Sequence, residues 1–257
     1  MAATKSKSPK RQRKSAPPDE TQADRAYTQI RDSILKGTLP VGVALSRRKL
    51  AAELHVSVPP VTEALQRLES EGLVESKPRV GTRVRIPTPR EVEERSLLRE
   101  ALEAQAAALF AERATPAEKR ELQRLGSRMD RLYAAAEKTP GDRELMFSVN
   151  TFHMALHLRI AECARCAPLH DAIEREQVLI FNWLYDTAVQ RRELGSDFHS
   201  TLTAALTTGS PAAAQAAMRR HIRRGLSDVL AGLDRIGKPG DAWRSKDAAP
   251  AGLKPIA

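Results

Sequence analysis

From residue 91 to about residue 234 the apolar side chains recur every three or four positions, and no stretch alternates with the two-residue period of a strand. Punctuation divides this run. Thr115-Pro116-Ala117-Glu118 is a capping box with proline at the first helical position. Pro140-Gly141-Asp142, Gly195-Ser196 and Gly209-Ser210-Pro211 each close one helix and open the next. The spacing predicts six helices, at roughly 91–113, 116–138, 142–165, 168–193, 196–208 and 211–234. Amphipathic helices joined by short loops bury their stripes by packing as an antiparallel bundle. The composition agrees: 41 % of residues are hydrophobic but only 4 % are aromatic, which suits helices packed on aliphatic side chains.

A second unit precedes the bundle, over residues 21–86. Ala26, Ile30, Ile34 and Leu35 share a helix face that Gly37 ends. Ser46 is placed to cap a short helix carrying Leu50, Ala51 and Leu54. After a tight turn at His55-Val56, Ser57 is placed to cap a helix with Val61, Ala64, Leu65 and Leu68 on one face, and Gly72 stops it. Leu73–Glu75 and Thr82–Ile86 read as two strands joined through Pro78 and Gly81. The order is helix, helix, turn, helix, hairpin. The fold class is therefore mainly α: an N-terminal winged helix-turn-helix plus an all-α antiparallel bundle. A linker at 87–90 joins them. Residues 1–20 read as a disordered basic arm and 236–257 as a disordered tail, since neither can bury enough apolar surface.

Charge is distributed unevenly. Of the formal +10, residues 1–20 carry +4, 21–86 carry +4, 87–235 carry none and 236–257 carry +2. A basic head on a balanced body points to a polyanion partner for the head. Two cysteines, Cys163 and Cys166, are too few for a disulfide framework and read as helix-packing residues. No apolar run is long enough to span a membrane and no signal peptide is evident, so the expectation is a soluble, cytoplasmic protein.

The head carries a family pattern: Leu39-Pro40-Val41-Gly42, Leu45-Ser46-Arg47-Arg48-Lys49-Leu50-Ala51, Val56-Ser57, Pro60-Val61, Glu63-Ala64-Leu65-Gln66-Arg67-Leu68, Glu71-Gly72-Leu73-Val74 and Gly81-Thr82-Arg83-Val84. It resembles the GntR-type regulators over nearly the whole unit. The resemblance implies a winged helix-turn-helix that binds double-stranded DNA operators as a homodimer, with the helix near 57–71 entering the major groove by its first turn. Candidate DNA-binding residues are Arg47, Arg48 and Lys49 on the preceding helix, Ser57, Val58, Pro59, Thr62, Gln66 and Arg67 on the recognition helix, and Lys77, Arg79 and Arg83 on the wing. Relatives carry guanine-reading arginines where this chain has Val58 and Thr62. Neither can make a bidentate guanine contact, while their methyl groups suit thymine.

The body resembles the helical C-terminal domain of the FadR-like branch. The carrying residues are Arg99, Leu102-Glu103, Ala106-Ala107, Leu156-His157, Ile160-Ala161-Glu162, His199, Ala205-Leu206, Gly209 and His221-Ile222. That likeness implies a central pocket, in many members holding a divalent metal on an acidic residue and three histidines, with a small carboxylate as effector. Here the candidate ligands are His153, His157, His199 and His221. His153 and His157, four apart, share a helix face. If His157 matches the family's Phe-His pair, His153 replaces the carboxylate and the site is all nitrogen. If Phe152-His153 is the pair, Val149 stands there and a ligand is lost. Ala161-Glu162 favours the first register. A neutral imidazole set suits zinc, nickel or a similar transition metal over oxygen-seeking ions. Arg99 is the candidate effector-binding residue, its guanidinium fork matching a carboxylate; the alternative is an ion pair with Glu103 four residues on. The reading is a ligand-responsive repressor, not an enzyme. A metalloenzyme built on the histidines and an architectural DNA-binding protein without effector are the alternatives.

Overall fold

In a computed structural model of the chain, residues 20–139, 142–176 and 197–236 are described; they are mainly helical, with one small sheet. The expected basic arm up to residue 19, the tail from 237, Pro140-Gly141, and residues 177–196 with Phe181, Trp183, Leu184 and Gly195-Ser196 lie outside the described residues.

The head begins with α1 (Gln22–Leu35), where Thr21 and Asp24 form a capping box. α2 (Arg47–Glu53) is capped by Ser46 through the Lys49 N–H. His55 takes the turn at φ 54°, and α3 (Val58–Ser70) follows. Gly72, at φ 78°, turns the chain out of α3. The sheet has three strands rather than the expected two: β1 (Ala44–Leu45), β2 (Val74–Lys77) and β3 (Gly81–Val84), in antiparallel order β1-β3-β2. Leu45 lies opposite Thr82, and Val74 opposite Val84. A two-residue strand has no period to read in a sequence, so β1 becomes visible only through its pairing.

Ser57 stands at the N-cap of α3 but makes no side-chain capping bond. The cap normally binds the second or third N–H of the helix. Those positions are Pro59 and Pro60, which have none.

The body starts earlier than expected. Thr88 caps α4 (Pro89–Arg113) in a box with Glu91, so the linker shrinks to little more than Pro87. α5 (Pro116–Lys138) and α6 (Arg143–Cys163) follow, and a helical segment over 167–176, α7, runs to the edge of the described residues. α8 (Phe198–Thr208) and α9 (Pro211–Ile236) complete the bundle. α9 packs along α4, and α5 packs on α8 and α6. Gly126 sets the closeness of α5 and α8: a Cβ there would lie 2.4 Å from Thr203 Oγ1 and 3.0 Å from the His199 carbonyl oxygen.

Two main cores result. The body core gathers Phe110, Leu122, Met129, Leu156, Ile160, Leu206 and Met218. The head core gathers Ile30, Ile34, Leu50, Leu65, Leu68 and Leu73, and it also takes in Val92 of α4 and Val229 and Leu233 of α9. The last helix of the body thus supplies part of the hydrophobic interior of the head.

Candidate functional site

Five helices of the body send polar side chains into one buried centre. α6 contributes His153 and His157, because residues four apart lie on one helix face. α9 contributes His221, α8 contributes His199, α4 contributes Arg99 and Glu103, and α5 contributes Asp130. The three Nε2 atoms of His153, His157 and His221 form a near-equilateral triangle, with edges of 3.0, 3.0 and 3.1 Å. Their ligand atoms make a potential metal-holding group.

Carboxylates orient two of the rings. Glu103 pairs with Arg99 through one oxygen and with Nδ1 of His157 through the other. Burial works to raise the Glu103 carboxyl, but Arg99 and His157 outweigh it and hold it well below the usual range. Facing an ionised carboxylate, Nδ1 of His157 is the N–H donor and Nε2 is left toward the triangle. Asp130 receives Nδ1 of His199 at 2.9 Å, the N–H groups of His199 and Ser200 at 2.8 and 2.9 Å, and the Ser200 hydroxyl at 2.5 Å. It therefore caps α8 from another helix, where the local cap Asp197 makes no such bond. Burial opposes ionisation of Asp130, yet the His199 and Ser200 bonds bring its carboxyl down to about 2. Burial first, then the neighbouring imidazoles and Arg99, hold His153 and His221 well below the usual histidine value, so both rings are neutral.

This donor set fits a cation. Neutral imidazoles whose Nε2 lone pairs converge repel one another unless a positive centre lies among them. A triangle of this size would let all three nitrogens reach one ion at metal–nitrogen bonds of about 2.0–2.2 Å. Of the four expected ligands, three converge. The fourth, His199, has its ring 5.2 Å from that of His153 and 5.4 Å from that of His221. His153 lies in the triangle, while Val149 is buried in the apolar core. Arg99 is committed to Glu103, the alternative to an effector carboxylate. Cys163 is buried in the body core, where burial raises its thiol to about 11, in keeping with a packing role.

Glu103 and Asp130 have no place in the sequence-derived ligand set, although both carried a signal. Each falls on the buried stripe of its helix, among Ala106, Ala107 and Phe110 for one and Gly126, Met129 and Tyr133 for the other. A carboxylate in such a stripe must be paired.

On the head, Ser57, Val58, Pro59 and Gln66 lie exposed along the start of α3, with Thr62 half-buried and its hydroxyl donating to the Val58 carbonyl. Arg48, Lys49, Lys77 and Arg79 are exposed beside them. Three other cations are employed inside the head. Arg67 binds Asp24 at 2.7 Å and lies 4.1 Å above the Tyr27 ring. Arg47 donates to the Thr82 hydroxyl at 3.0 Å, and Arg83, which is buried, donates to the Gly42 carbonyl at 3.2 Å. Arg67 thus ties α3 to α1, Arg47 ties α2 to β3, and Arg83 ties β3 to the segment before β1.

Comparison with known proteins agrees with this architecture. Residues 22–84 match the family model of bacterial regulatory proteins, gntR family, and residues 95–224 match that of the FCD domain. A "Probable D-xylose utilization operon transcriptional repressor" of Paenarthrobacter nicotinovorans is 29 % identical over 204 residues, covering 76 % of this chain and 84 % of that protein. The solved structure of McbR/YncC from E. coli superposes with a TM-score of 0.61 at 25 % identity, over 84 % of this chain and 98 % of that one. A solved GntR protein from Rhodococcus sp. RHA1 shares the fold, with a TM-score of 0.62 at 23 % identity over 84 % and 99 % of the two chains. These relatives are regulators, which leaves the metalloenzyme alternative without support. The chain belongs to the gntR family of bacterial transcriptional regulators, with an FCD domain as its body.

Proposed function

We propose that this regulator, a repressor acting as a homodimer, is ligand-responsive: a divalent transition metal on His153, His157 and His221, with His199 beside it, receives a small carboxylate, and occupancy alters how the heads meet an operator. When bound, the metal supplies positive charge for the carboxylate. Glu103 fixes the His157 ring, Asp130 fixes that of His199, and burial keeps His153 and His221 neutral and ready to donate lone pairs. The carrying observation is the course of α9. One helix bears His221 in the centre and, two and three turns on, Val229 and Leu233 in the head core. A shift of His221 by a fraction of an ångström is transmitted to the head because a packed helix moves as a unit. Leu97 and Leu98 on α4 are, among the described residues, the most exposed large apolar side chains of the body and suit packing against a second copy.

The test is metal analysis of purified protein beside a variant with His157 and His221 both changed to Ala. Near-stoichiometric zinc, nickel or a similar ion in the wild type, lost in the variant, is the expected result. No metal in the wild type after incubation with zinc or nickel overturns the reading. On the DNA side, Val58 and Thr62 predict an operator without the family's usual guanine contacts. Selection of binding sites from random duplexes checks this, and recovery of a guanine-centred half-site contradicts it.

A further inference from the structure

Asn150 is 2 % exposed, and neither its Oδ1 nor its Nδ2 has a hydrogen-bond partner among the described residues. A buried carboxamide left unsatisfied on both atoms is costly, and native chains keep such groups where water or a ligand completes them. Val149, next to it in the chain, is fully buried in the apolar core, so packing alone does not call for a polar side chain at this depth.

Its place on α6 indicates what it serves. Asn150 precedes His153 by three residues and His157 by seven, so the three fall within an arc of about 60° on one helix face. The rise between Asn150 and His153 is about 4.5 Å. A second atom in the same interior is also unfilled: Nδ1 of His221 is buried without a partner among the described residues, whereas Nδ1 of His157 has Glu103 and that of His199 has Asp130. The charged groups nearby are already engaged, Arg99 by Glu103 and Asp130 by His199 and Ser200.

We infer that Asn150 is a specificity-determining residue of the ligand pocket, reading a neutral hydroxyl on a short carboxylate whose acid group lies at the histidine centre. This rests on the metal-centred reading above. A carboxamide matches a hydroxyl in both senses: Oδ1 accepts its proton and the Nδ2 amino group donates to its oxygen. One helical turn of separation places the hydroxyl a few bonds along the chain from the carboxylate. The class of ligand is therefore a hydroxy acid of about four carbons.

The test is calorimetric titration of zinc-loaded protein, wild type and Asn150→Leu, with butanoate, 3-hydroxybutanoate, 4-hydroxybutanoate, succinate and malate. Leucine has the shape of asparagine without its hydrogen bonds. The wild type should bind a hydroxylated member about tenfold more tightly than its plain counterpart. Asn150→Leu should abolish that preference, the hydroxylated acids binding it no more tightly than their plain counterparts. Binding with a preference that the variant retains, or no preference in the wild type, overturns the role of Asn150 alone. Binding of none of the five by zinc-loaded wild type overturns the ligand class together with the reading beneath it. Thermal melting without metal or ligand is the second readout. Asn150→Leu should melt at or above the wild-type temperature, because no bond is lost. A fall of several degrees would show that Asn150 holds the fold and would overturn the assignment.

Discussion

Glu103→Gln is the most informative single change in the body. Glu103 is 2 % exposed and Arg99 8 %, and the carboxylate serves Arg99 and His157 at once. The amide keeps the shape but removes the charge, so Arg99 is left buried without its counterion. Breaking a buried pair from one side costs about 3–5 kcal/mol, a large share of the roughly 5–15 kcal/mol that holds a typical protein together. Replacing both residues, as Arg99→Leu with Glu103→Leu, removes the stranded charge. The double variant then loses mainly the His157 acceptor, about 1–3 kcal/mol. Urea titration followed by circular dichroism, with m unchanged, should therefore rank wild type above the double variant and the double variant above Glu103→Gln. Metal affinity should fall about 10–100-fold in Glu103→Gln although no ligand nitrogen is altered. A Glu103→Gln protein within about 1 kcal/mol of wild type would refute the reasoning, since Arg99 would then be neutralised elsewhere.

Three further outcomes follow from particular contacts. Gly126→Ala should drive α8 away from α5, because the new methyl meets a buried Thr203 side chain and the His199 backbone; a loss of about 1–3 kcal/mol is expected, and unchanged urea stability would contradict that packing. Leu233→Ala should cost about 2–4 kcal/mol and raise amide exchange in α1 and α3, since Leu233 belongs to the head core; exchange rising only in the body would contradict the shared interior. Glu118 is held at about 2, against the usual 4.5, by the Thr115 N–H and Arg165. Its contribution is present above pH 4.5 and is lost as pH falls toward 2, so the stability gap between wild type and Glu118→Gln should shrink from pH 5 to pH 3; a constant gap counts against the cap.

The sequence made the helices legible because their signals are local. Thr115 and Asp142 cap where capping chemistry places them, and Gly37 and Gly72 end helices where expected; Thr88, read as linker, proved to be a cap as well. What escaped it is tertiary. β1 exists only because Ala44 and Leu45 meet Arg83 and Thr82. Ser57 stands at the N-cap of α3, but Pro59 and Pro60 lack the N–H groups its side chain would bind. The four histidines were readable as candidates, but which three converge depends on how α9 crosses α6. The carboxylates Glu103 and Asp130 interrupt apolar stripes, a signal that names a paired group without naming its partner. Membership of α9 in the head core was invisible, since Val229 and Leu233 continue a helix that begins in the body.

The central claim is that occupancy of the histidine centre governs the grip of the heads on DNA. Fluorescence anisotropy with a duplex selected from random sequence tests it, with the protein metal-free, zinc-loaded, and zinc-loaded with a bound carboxylate. Operator affinity is predicted to change by about 5–150-fold between states, and the change should vanish in the protein with His157 and His221 both replaced by Ala. Equal affinity in every state, with metal bound stoichiometrically, would contradict the claim.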